Sequence, residues 1–138
     1  MQLPCIKTYK PNTPRKDNQF YILSKGRNSG RPSHTPNRNS FTVTCDSIEQ
    51  HDQLYILCFV LWKGRFFHRY LRGTCVQFIS LKEFKKIVQS AMDKLEDQPE
   101  KLETTARTLK QIEEAEKLIS QKLQVIGQMK LLLVQLLK

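Results

Sequence analysis

Glycine is scarce in this chain, with five residues among 138, and none of the five falls in a phosphate-binding pattern. Neither GxxxxGK[ST] nor GxGxxG occurs, which removes the usual nucleotide cradles. GxSxG and HExxH are also missing, so no familiar nucleophile elbow or zinc helix is present. The four cysteines (Cys5, Cys45, Cys58 and Cys75) stand singly, without the CxxC pairing that finger and ribbon zinc sites require. The histidines, His34, His51 and His68, are isolated from one another and from carboxylates at motif spacing. A catalytic constellation needs a nucleophile or metal with an oriented base, so we expect no catalytic residues, no metal and no cofactor. No uninterrupted apolar span approaches the roughly 18–20 residues of a membrane helix, and no charged-then-apolar leader opens the sequence. With thiols in apolar or strand-like runs, the expectation is a reduced, cytoplasmic protein with no membrane partner.

What is abundant is positive charge, a formal net of +10, and it is unevenly spread. Residues 1–75 carry 12 Lys and Arg against four acids, a local net of +8. Residues 76–138 carry 11 against nine, a net of +2. The positive field belongs to the amino-terminal part, which favours a polyanionic partner such as nucleic acid.

Along the chain, Leu3–Ile6 is a possible strand, and Lys10–Asn18, with two prolines among polar residues, is a turn or loose arm. Phe20–Leu23 and Phe41–Cys45 have strand composition and alternation. Between them lies a 17-residue connection, Ser24–Ser40, with two glycines, two prolines and four cations: Lys25, Arg27, Arg31 and Arg38. Long connections in compact domains tend to be functional or disordered, and backbone N–H groups with guanidinium forks suit phosphate contact. Asp46–Gln53 is expected as a polar turn, and the apolar run Leu54–Trp62 as a buried central strand. Lys63-Gly64 then signals a turn into Arg65–Leu71, where Arg65, Arg69 and Arg72 join Lys63 in a second basic strip interleaved with Phe66, Phe67 and Tyr70. Thr74–Ile79 reads as a further strand.

Ser80-Leu81-Lys82-Glu83 is a capping box, opening a helix over 81–95 whose face of Phe84, Ile87, Val88, Ala91 and Leu95 docks on the sheet. A second start follows at Asp97-Gln98-Pro99-Glu100. From there to Lys138 runs a heptad helix. Leu102, Leu109, Leu123 and Leu137 share one seam position, and Ile112, Ile119, Ile126 and Leu133 the other. About 40 residues at 1.5 Å rise make a rod of about 60 Å, so the seam is expected to join a second helix. Glu116 and Lys130 interrupt it. In a parallel homodimer each would face its own copy, whereas antiparallel or heteromeric pairing matches opposite signs. Val125, Met129, Leu132, Val134 and Leu136 widen the apolar surface beside the seam.

The expected fold class is therefore α+β. A small β-rich, basic recognition-type domain (1–97, with its docking helix over 81–95) precedes a long coiled-coil helix over 98–138. The succession Leu71-Arg72-Gly73-Thr74, then Phe78-Ile79-Ser80-Leu81-Lys82-Glu83-Phe84-Lys85-Lys86-Ile87, resembles the closing part of a target-recognition domain in type I restriction–modification specificity subunits. The tail, Ile112–Ile119 through Met129–Leu137, is similar to the long helix that follows there. Segments Ser24–Pro32 and Leu54–Phe67 also look like those of small uncharacterised proteins from bacterial mobile elements.

What the resemblance implies is a half-unit: one reduced recognition domain and one helix. Such a half-unit would pair antiparallel with a second copy and have a modification-type subunit as a possible partner. A domain near 80 residues is about half the family's usual size, which bears on whether its base-reading loops are present. The functional expectation is a non-enzymatic module for double-stranded DNA, using Lys25, Arg27, Arg31, Arg38, Lys63, Arg65, Arg69 and Arg72. The alternative is a protein-interaction adaptor or specificity-subunit mimic, with a mobile-element or anti-defence role.

Overall fold

The computed structural model describes residues 2–138 and confirms a mixed α+β chain: four antiparallel strands followed by helices, the last of them long. The strands are β1 (Cys5–Thr8), β2 (Gln19–Leu23), β3 (Pro32–Ser33) and β4 (Ser40–Thr44), in the spatial order β1-β4-β2-β3. Register follows the pleat. Ile6 and Phe20 both pair with Val43, and Ile22 pairs with Phe41, so one face presents a continuous apolar layer. In β2, Phe20, Tyr21 and Ile22 are all buried, because this inner strand is covered on both sides.

The largest departure from expectation is α1 (Ile48–Lys63). The run Leu54–Trp62 is helical, and the polar stretch before it is the start of that helix. Periodicity within an unbroken apolar run does not distinguish strand from helix; here the cap decides. Ser47 Oγ accepts from the Gln50 N–H at 3.1 Å, and the Gln50 side chain reaches back to the Asp46 N–H at 2.7 Å. Glu49 adds a carboxylate to the first turn. His51, Leu54, Leu57, Cys58 and Leu61 are buried at helical spacing, against β2 and β3.

The segment Thr74–Ile79 is not a strand either. Gly73 (φ +102°) turns the chain, Arg72 and Phe78 exchange two backbone hydrogen bonds of 2.9 Å, and of this stretch only Ile79 enters the core. The expected capping box opens α2 (Leu81–Leu95): Ser80 Oγ accepts from the Glu83 N–H at 3.2 Å. Phe84, Val88 and Met92, four residues apart, face inward. Phe84 stacks on Phe67 (ring centroids 5.4 Å apart) and meets Phe41 at 5.7 Å, tying helix, loop and sheet into one core. Cys45 and Cys58 lie in that core as reduced thiols, while Cys5 and Cys75 are exposed.

The chain divides into two compact units, Met1–Glu103 and Thr104–Lys138. The first therefore runs six residues past the expected boundary at 97, into α3 (Pro99–Gln135), and Leu102 packs on its core. Along the second unit Leu109 is half-buried, and the other seam residues, Ile112, Ile119, Leu123, Ile126, Leu133 and Leu137, are 47–85% exposed. Among the described residues no helix is long and apolar enough to cross a membrane.

Candidate nucleic-acid interface

The long connection is an ordered double loop. β3 pairs with β2 (Tyr21 with Ser33, Ile22 with Pro32), splitting the connection into a first lobe of residues 24–31 and a second of 34–39. The first lobe closes through Gly30 N–H to the Leu23 carbonyl at 2.7 Å and Leu23 N–H to the Arg31 carbonyl at 2.9 Å. Inside it the buried Ser29 donates its hydroxyl to the Gly26 carbonyl at 2.6 Å. Gly30 (φ +98°) is where the lobe meets the core. A Cβ there would lie 2.2 Å from the fully buried ring of Phe67.

The second basic strip begins where α1 ends. The Phe66 N–H reaches the Leu61 carbonyl and the Arg65 N–H the Trp62 carbonyl, both at 3.0 Å. This crossed pair is the Schellman arrangement, whose left-handed residue is usually glycine. Here that residue is Arg65, with φ 59°, the one non-glycine of positive φ among the described residues. At the neighbouring Gly64 a Cβ would meet the exposed Phe66 ring at 2.8 Å and the Val60 carbonyl oxygen at 3.2 Å.

Backbone pairing brings the two strips together. Phe78 bridges antiparallel to Lys25 on one side and to Arg72 on the other. Residues opposed across an antiparallel bridge project to the same face, so Lys25 and Arg72 are set on either side of the partly exposed Phe78 in the backbone. At Trp62 the contact is with the ring itself: the Arg31 guanidinium lies 5.4 Å and the Lys63 ammonium 4.8 Å from its centroid. Arg65 and Arg69, which follow Trp62 in the chain, are exposed, as are Phe66 (56%) and Tyr70 (39%). Phe67 alone of the three expected aromatics in this strip is core.

Arg27 lies on the first lobe and Arg38 on the separate turn into β4, outside these pairings. Arg72 also meets Glu83 at 3.5 Å, an exposed contact of small energy. Trp62, the sole tryptophan, stands in the sequence only as the last residue of the apolar run from Leu54. Only the helical end of α1 sets it beside Arg31.

Next to this surface, His34 stacks on Tyr55 at 4.2 Å and His51 meets the same ring at 6.3 Å. Burial pushes the Tyr55 hydroxyl pKa up, with the Arg31 charge opposing, and the hydroxyl donates to the Pro32 carbonyl at 3.4 Å. His51 Nδ1 lies 3.0 Å from the Asp52 carboxylate. No group of three or more His, Cys, Asp or Glu side chains is placed to hold a metal among the described residues. The Tyr55 hydroxyl on the Pro32 carbonyl and the Tyr55 ring on His34 join α1 to β3 and the residue after it.

A family match covers nearly all of this architecture, residues 6–136. The chain belongs to DUF6943, a family of unknown function. No curated protein and no solved structure matches it. In this DUF6943 chain the loop lobe, the end of α1 and the 72–79 turn lie within the matched span, as does the whole of α3.

Proposed function

We propose that the protein is a non-enzymatic DNA-binding module that works as a pair of copies joined through the C-terminal helix. The observation that carries the DNA part is Arg65. A guanidinium occupies a left-handed position that costs a non-glycine residue about 1–2 kcal/mol, three residues after Trp62, whose ring has two cations beside it, and in the segment that leads to Phe78, whose backbone bridges Lys25 and Arg72. Strain of this kind is characteristic of functional positions. Cations reach phosphates while exposed rings stack on bases. Lys25, Arg31, Lys63, Arg65, Arg69 and Arg72 form the central set, with Arg27 and Arg38 peripheral. The likeness to specificity subunits agrees with this reading.

Pairing of copies is supported by charge along α3. In an antiparallel pair whose two-fold axis passes between Leu123 and Ile126, those residues share a layer, as do Leu137 and Ile112. Glu116 then faces Leu133 of the other copy, and that copy's Lys130 lies three residues along the axis, about 4.5 Å away. The acids Glu113 and Glu114 approach Lys138 in the same register.

Fluorescence anisotropy with duplex DNA across a salt series tests the first part. Affinity should fall with a log–log slope of about −0.9 per phosphate contacted; absence of binding at low salt refutes it. Light scattering on the full chain tests the second part. A dimer is expected, weakened by Lys130→Glu and restored by combining Lys130→Glu with Glu116→Lys. A monomeric wild-type chain, or failure of the double exchange to restore pairing, refutes the antiparallel register. The exposed Phe66, Val76 and Phe78 favour a second reading, a protein-binding adaptor. That reading predicts binding insensitive to salt.

A further inference from the structure

At one end the sheet closes in an edge strand. β1 pairs only with β4, so the outer side of its backbone is not used by the sheet. All four of its residues, Cys5, Ile6, Lys7 and Thr8, line a groove of about 920 Å³ that runs from the outer sheet face to the first turn of α2. Four lysines contribute to the walls (Lys7, Lys10, Lys16 and Lys85), and no carboxylate side chain does. None of these four belongs to the arginine-rich surface described above.

We propose that this groove takes an extended acidic peptide, added to β1 as a fifth strand, with its carboxylates on the lysine walls. An edge strand offers a row of directional backbone donors and acceptors, which another peptide chain matches rung for rung. β1 is four residues long, about 13 Å of ladder. The occupant is not a second copy of the same edge, because that would set Lys7 and Lys10 beside identical charges, the usual device by which edges repel one another. Nor does the groove suit a nucleic-acid strand. Its aromatic side chains are Tyr9 and Tyr21, and Tyr21 is only 3% exposed, capped edge-on by Tyr9 at 5.6 Å and by the Arg15 guanidinium at 6.0 Å. The Tyr21 ring is thus closed to a stacking base, and the partly buried Tyr9 is engaged edge to face with it. Acidic side chains alternating with β-branched ones would place charge on the lysine side and apolar groups towards Ile6 and Leu81.

The probe is a fluorescein-labelled peptide alternating glutamate and valine, titrated into the full-length protein, with an alternating lysine–valine peptide and oligothymidylate as comparators. The acidic peptide should bind, and Lys7→Glu with Lys10→Glu should weaken it by about tenfold while leaving thermal stability and duplex-DNA affinity unchanged. Amide exchange at residues 5–8 should slow when the peptide binds, as a new ladder requires. The proposal is overturned if the acidic peptide fails to bind at low salt, or if binding leaves exchange in β1 unaltered. It is equally overturned if oligothymidylate binds more tightly than the peptide and loses affinity in the same double variant. Because the arginine-rich surface is untouched by these changes, loss of DNA binding and loss of peptide binding are separable results.

Discussion

Replacing Arg65 with glycine should make the protein more stable and a poorer DNA binder at once. Arg65 sits at φ 59° in the crossed hydrogen-bond pair that ends α1. Removing its Cβ relieves about 1–2 kcal/mol of left-handed strain. Against this, glycine adds freedom to the unfolded chain, a cost of about 0.5–1 kcal/mol. The side chain is exposed, so little packing is lost. The net gain is about 0.5–1 kcal/mol, or a rise in melting temperature of roughly 3–6 °C for a cooperative unit of this size. In anisotropy titrations the same variant should lose about one phosphate's worth of salt slope, near 0.9, and bind several-fold more weakly at fixed salt. Arg65→Lys separates the two effects, since it keeps the charge and the strain and should match the wild type in melting temperature. A glycine variant that melts at or below the wild-type temperature, or one whose salt slope is unchanged, refutes the reasoning.

Gly30→Ala should destabilise by about 2–5 kcal/mol, combining positive-φ strain with displacement of the buried Phe67 ring. Gly26→Ala, also at positive φ but with nothing within 4 Å, should cost only the strain, about 1–2 kcal/mol; equal losses in the two variants would remove Phe67 from the account. Ser80→Ala should cost about 1 kcal/mol by chemical denaturation and Ser80→Asp far less, because only the alanine leaves the Glu83 N–H without its cap. Thiol reagents should modify Cys5 and Cys75 in the native protein, with Cys45 and Cys58 reacting only on unfolding. Burial, reinforced by Asp46, pushes the Cys45 thiol pKa from 9.0 up to about 11. The unfolded chain therefore ionises first, so this contribution to stability is complete below about pH 9 and declines as pH rises from 9.0 towards about 11. Cys45→Ala should flatten that decline, although the buried Cys58, shifted in the same direction, maintains part of it.

Elements that announce themselves locally were legible in the sequence. Ser80 with Glu83 marked the start of α2, Pro99 the start of α3, and the aromatic and β-branched composition of Phe20–Leu23 with the alternation around Val43 the two inner strands. α1 was missed because the run from Leu54 to Trp62 is apolar at every position, so neither period stands out. The informative residues were the polar ones ahead of it, Ser47 and Gln50, whose reciprocal capping fixes the start. For the interface the cations were legible as two strips separated in sequence. Their junction was not, since it depends on Phe78 pairing with Lys25 and Arg72 at once, a match of isolated residues that no periodic pattern encodes. Arg65 had the same limitation: its significance is a backbone angle, visible only once α1 is known to be a helix.

The position of Trp62 has a practical consequence. It is the sole tryptophan of the chain, and its ring has Arg31 and Lys63, two members of the basic set, beside it. Its emission therefore reports from one place, without labels or substitutions. A phosphate that draws either cation off the indole changes the quenching directly, whereas a peptide seated along β1 leaves it unchanged. One fluorimeter trace can thus assign an unidentified polyanion to one surface or the other.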